Sequence, residues 1–255
     1  MKKILLSLAA LVCAATMFTS CEPDKNDDNT IKSPVVGTWN VPAVETDENE
    51  SIVSTPFNLT WEAGDATLSF LPVSALPGLA NQLGGVMITQ MLKDITFSDK
   101  GEITATINDN DINIDLGGTT EPAEPVWVAT EPGYATYKLQ GNKMLVFLNL
   151  DKLREEAGED GEEIDETPFK DIIAFVEKGI EVNYSLSDND KELKLYIDKE
   201  YMTEIAAFAP TFAAMIPDDP DALGTFGPMV KGILNDLPAA MEKTTEFELS
   251  LTLKK

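Results

Sequence analysis

The chain has 255 residues, with 44 acidic against 19 basic side chains, a formal charge of −25 and no histidine. The missing imidazole excludes Ser-His and Cys-His nucleophile systems, histidine-ligated zinc and imidazole acid-base work, and the acidic balance excludes nucleic acid and makes anionic headgroups poor partners. Any catalysis would rest on carboxylates, but in so acidic a chain a carboxylate pair identifies nothing, so we assign no enzyme activity, no catalytic residue and no cofactor.

The chain opens with Lys2 and Lys3, an apolar run from Ile4 to Met17, and then Phe18-Thr19-Ser20-Cys21. The run is too short to cross hydrocarbon, which takes about 20 apolar residues, so residues 1–20 read as a secretory signal. The junction resembles the lipobox of bacterial lipoproteins. That resemblance implies cleavage before Cys21, a diacylglycerol thioether on its sulfur and acylation of its new amine, with the membrane as partner through this anchor. Cys13 leaves with the signal, so the mature chain has no disulfide. Residues 21–33 read as an acidic, solvated tether. Its Glu22, Asp24, Asp27 and Asp28 resemble the surface-export signal of Bacteroidota lipoproteins, which implies an outer-membrane, cell-surface address.

Residues 34–255 form one expected domain. Val35 to Val41 reads as a first strand, and Phe57 to Trp61 with Ala66 to Leu71 as a hairpin across Ala63-Gly64-Asp65. Period-two alternation then marks Ile95-Phe97, Ile103-Ala105-Ile107 and Ile112-Ile114-Leu116 as half-buried antiparallel strands. Val126 to Ala129, Tyr134 to Leu139, Met144 to Leu150, Ile180 to Leu186, Leu193 to Ile197 and Phe247 to Leu253 follow. Between them, Ala75 to Leu92, Phe169 to Lys178, Lys199 to Ile216 and Phe226 to Lys243 have helical spacing, with kinks expected at Pro210 and Pro238. An acidic loop is expected over residues 155–166.

Strands apolar on one face and four apolar helices that need burial specify an α+β fold: a strongly curved antiparallel sheet of eight to ten strands, or a partly open β-barrel, with helices packed on its concave apolar face. Gly37-Thr38-Trp39 on the first strand resembles the G-x-W signature that opens lipocalins and the lipocalin-like lipoproteins of gut Bacteroidota. The resemblance implies that Trp39 packs under an arginine near the end of the last strand. Here only Lys254 and Lys255 stand there.

Asp109, Asn110, Asp111, Asn113 and Asp115 offer oxygens at alternate positions, but the glycine and glutamate of a calcium loop are replaced by Ile114 and Thr120, so they read as an Asx-rich turn and no metal is assigned. The candidate ligand-binding residues are Trp39, Trp61, Phe208, Phe212 and Met215, the last three from the charge-free stretch Ile205 to Pro217. The expected function is a non-enzymatic, lipid-anchored protein that binds a small apolar or amphipathic ligand or another protein. The alternative is an accessory glycan-binding component of a polysaccharide-uptake system. A hollow sheet would indicate a carrier, and a filled one an interaction protein.

Overall fold

The computed structural model describes residues 30–49, 52–110, 124–158, 169–216 and 226–255; the signal, Cys21, most of the tether and the strand expected at Ile112 to Leu116 lie outside them. Its elements in chain order begin with β1 (Gly37–Asn40), β2 (Glu45–Thr46), β3 (Ile52–Ser54), β4 (Phe57–Glu62), β5 (Thr67–Leu68), β6 (Leu71–Pro72) and α1 (Leu76–Met91). Then come β7 (Leu92–Phe97), β8 (Glu102–Asn108), β9 (Trp127–Ala129), β10 (Ala135–Gln140), β11 (Lys143–Leu148), α2 (Leu150–Gly158) and α3 (Lys170–Val176). The chain closes with β12 (Ile180–Ser187), β13 (Glu192–Asp198), α4 (Lys199–Ala206), α5 (Ala209–Met215), α6 (Phe226–Lys243) and β14 (Glu246–Lys254).

Eight of the strands close an antiparallel barrel in the order β1-β7-β8-β10-β11-β12-β13-β14, completed where Asn40 of β1 pairs with Lys254 of β14. The architecture is consistent with a lipocalin-like α+β fold. Neighbours in space follow chain order, as in an up-and-down barrel, so the tight turns and the long excursions alternate between the two ends. At one end lie the turns β7–β8, β10–β11 and β12–β13, where Gly101 and Gly141 and residues 188–190 take positive φ. At the other end the chain leaves the barrel between β1 and β7, between β11 and β12, and between β13 and β14, and among the described residues each α-helix lies in one of those excursions. For this topological reason helices run into strands near Lys93, Gly179 and Thr244.

Two excursions from the expected pairing stand out. Phe57 to Trp61 does not form a hairpin with Ala66 to Leu71. Instead β4 pairs with β14 (Phe57 with Leu251, Leu59 with Leu249, Trp61 with Phe247), while β5 and β6 make a small ribbon of their own. The reason is apolar register: β14 offers β4 three large inward partners, which a two-residue strand cannot. In addition, residues 150–158, read from sequence as a strand end and an acidic loop, form α2, started by the Asn149 side chain accepting from the Lys152 N–H at 3.0 Å. The stretch 199–216 divides into α4 and α5, with Pro210 in the first turn of α5, where its missing N–H costs nothing.

Because β1 takes only the tip of β14, the upper part of β4 would be left with a bare edge. α1 covers it. The Asn81 side chain accepts from the Leu59 N–H at 2.6 Å and donates to the Leu59 carbonyl at 3.3 Å, so one helical amide stands in for a neighbouring strand. The close approach depends on two glycines, since a methyl group on Gly84 would lie 2.6 Å from the Phe57 ring and one on Gly85 would overlap the Thr55 hydroxyl. α1 also touches β7 and β8.

Candidate functional site

An eight-stranded barrel is just wide enough either to be filled by its own side chains or to hold one small ligand. Here each strand sends large apolar groups inward. Trp39, Phe97, Ile103, Tyr137, Val146, Val182, Leu195 and Leu253, one from each barrel strand, are all at most 5% exposed. They belong to one buried cluster that runs on into Tyr201, Ala206, Ala240 and Met241 of the helices. Two surface depressions reach the edge of this cluster, one at Phe247 and one at Tyr201.

One end is sealed around Trp39. The residue is fully buried, its indole N–H donates to the Val35 carbonyl at 2.6 Å, and the Lys255 ammonium lies 4.4 Å from its ring centroid while donating to the Pro34 carbonyl at 2.6 Å. The lysine thus occupies the place that the lipocalin resemblance gives to an arginine. Phe97 and Tyr137 meet edge to face beside it, and the Tyr137 hydroxyl donates to the Ser98 carbonyl at 2.8 Å. Burial, with the Asp99 carboxylate adding to it, pushes that phenol up to about 12.

The helical end is sealed differently. Trp61 meets Phe247 edge to face and donates its indole N–H to the Thr244 hydroxyl at 2.8 Å, which in turn donates to Ala240 at the end of α6. Phe208 packs on Phe175, whose ring stacks on Tyr201. Phe208, Phe212 and Met215 are half-buried, and α5 lies against α6. The five candidate residues therefore do not form one pocket: Trp39 is at the turn end and Trp61 and the α5 residues are at the helical end, separated by nearly the whole of β14. Nothing in the sequence marked Asn81, because its partner Leu59 is remote in the chain.

No known protein family, curated protein or solved structure matches this chain. The site must be argued from its own geometry.

On the outside, besides an open depression of about 600 Å³ bordered by Asp198, Lys199, Thr203, Thr245 and Phe247, two features stand out. The first is a small polar recess of about 60 Å³ lined by Lys143, Glu181, Asp198, Glu200 and Glu204. Lys143 is ion-paired with Glu181, which raises its pKa, and Asp198 is occupied at both oxygens, capping the Tyr201 N–H at 3.0 Å and accepting from the buried Asn183 amide at 2.8 Å. Glu181 and Asp198 are thus committed to structure, and among the described residues no group of three acids is placed to hold a metal. The second is the outward face of α1, where Leu79, Leu83 and Val86 are 42–48% exposed at four- and three-residue spacing. From Leu71 to Leu92 the chain carries no charge at all. Among the described residues, no helix is long and apolar enough to cross a membrane.

Proposed function

We propose that this chain is a lipid-anchored, non-enzymatic protein of the outer-membrane surface that acts by presenting its exterior to another protein. The observation that carries this reading is the filled barrel. Pockets for drug-sized ligands run to roughly 300 Å³ and more and are concave and apolar, whereas the concave face here is occupied by its own side chains. In this reading the helices close the mouth over the concave apolar face, and the sheet is a scaffold and not a container. Attachment rests on acylated Cys21, each buried methylene contributing about 0.8 kcal/mol.

The uncharged face of α1 supports the choice of a protein partner, since an apolar stripe on an otherwise acidic surface is the usual mark of such a contact. The glycan-binding alternative draws no support from Trp39 and Trp61, which are too buried to stack on a sugar ring. A photo-reactive phenylalanine analogue at Leu83, introduced in the cells that make the protein, tests the reading. It should give one discrete protein adduct, lost when Leu79→Glu is added. Absence of any adduct, or an adduct indifferent to Leu79→Glu, would remove α1 as the contact. Cys21→Ser should move the protein out of the membrane fraction.

A further inference from the structure

We infer that the barrel stands on the membrane by its turn end, packing that end against an anionic lipid surface and holding the helical end outward. The inference rests on the lipid-anchor reading and adds an orientation to it. Two independent observations point the same way.

The first is where the chain leaves the fold. The described residues begin at Thr30, and the Ile31 N–H donates to Asp99 in the β7–β8 turn at 2.7 Å. At most about 36 Å of chain separates Cys21 from this point, so the anchor pulls on the turn end.

The second is charge. The β7–β8 turn carries Lys100 with Asp99 and Glu102, and the β12–β13 turn carries Lys191 with Asp188, Asp190 and Glu192. The chain termini add Lys32, Lys254 and Lys255, all exposed, so this end is balanced in a molecule of charge −25. The opposite end is acidic: Asp65 is paired with Lys243, and exposed Glu177, Glu200, Glu204, Glu242 and Glu246 outnumber exposed Lys178 and Lys199. The length of β14, tilted as barrel strands are, keeps the ends more than about 20 Å apart, over two Debye lengths at physiological salt. Near a leaflet at about −30 mV each uncompensated carboxylate lowers the population of its orientation about threefold, so several of them exclude the helical end from the surface. The acidic total of the sequence suggested repulsion from anionic headgroups, but the fold segregates the charge and leaves one end free of that penalty.

The test uses the mature acylated protein on vesicles of phosphatidylglycerol and phosphatidylcholine, three to seven, containing a headgroup nitroxide. The acylated chain has no free thiol, so Ser187→Cys at the turn end and Ala207→Cys at the helical end, both exposed, each take a single fluorophore. Quenching should be at least several-fold stronger at 187 than at 207. Equal or reversed quenching on protein that floats with the vesicles overturns the orientation and leaves the anchor standing. Protein that fails to float removes the anchor and the orientation with it.

Discussion

The Lys255 ammonium sits 4.4 Å from the centroid of the Trp39 ring, joining the last residue of the chain to the first barrel strand. The same nitrogen bonds to Pro34, so the lysine holds the N-terminal segment across the turn end, and the indole beneath it is kept from water. Lys255→Ala should lower stability by about 1 kcal/mol, and Lys255→Arg should preserve it, because a guanidinium can make both contacts. Urea denaturation followed by tryptophan fluorescence reads this directly. Equal midpoints for Lys255→Ala and the parent would mean that the contact is idle.

Two glycines of one helix should respond in opposite directions. A methyl group on Gly78 meets nothing within 4 Å, so Gly78→Ala should stabilise by about 0.5–1 kcal/mol through helix propensity. Gly85→Ala drives the same methyl into Thr55 and should cost about 1–3 kcal/mol. Thermal denaturation of the pair compares them. Equal shifts would show that α1 is not held close to β4.

Asn81 pairs with both the N–H and the carbonyl of Leu59. Asn81→Ala leaves that edge without a partner and should cost about 1–3 kcal/mol, whereas Asn81→Asp keeps the acceptor and should cost less unless its charge outweighs it. Amide hydrogen exchange at Leu59 is the sensitive readout: protection should fall in Asn81→Ala while exchange in β11 and β12 stays slow.

The Tyr137 phenol has a folded pKa raised to about 12 from an ordinary value near 10. Its proton is held more tightly in the folded chain, so its contribution is complete below about pH 10 and is lost as pH rises towards 12. Tyr201, raised by burial, acts with the same sign. The melting temperature should fall between pH 10 and pH 12, and Tyr137→Phe should flatten part of that fall. An unchanged slope would indicate that another group controls alkaline unfolding.

Alternation along β7, β8 and β10 to β14 made most of the barrel legible, because a half-buried strand has period two whatever it pairs with. Pairing itself was less legible. Phe57-Leu59-Trp61 alternates cleanly, yet nothing local says that its partner is Phe247 to Leu251 and not the next apolar run. Closure was hidden for a similar reason. It rests on Asn40 pairing with Lys254, with Asn81 covering the edge of β4 and Lys255 lying over Trp39, and each of these partners is remote in sequence. Trp61, Phe208 and Phe212 were visible as large apolar residues, but apolarity does not separate a pocket wall from a packed core.

Native mass spectrometry of the purified acylated protein after incubation with a total lipid extract tests the filled barrel most directly. A barrel packed by Trp39, Tyr137, Val146 and Leu195 should give the mass of the acylated chain alone. A stoichiometric lipid or other apolar adduct, displaced when Val146→Trp narrows the interior, would show that the sheet encloses a binding cavity and would contradict the interaction-protein reading.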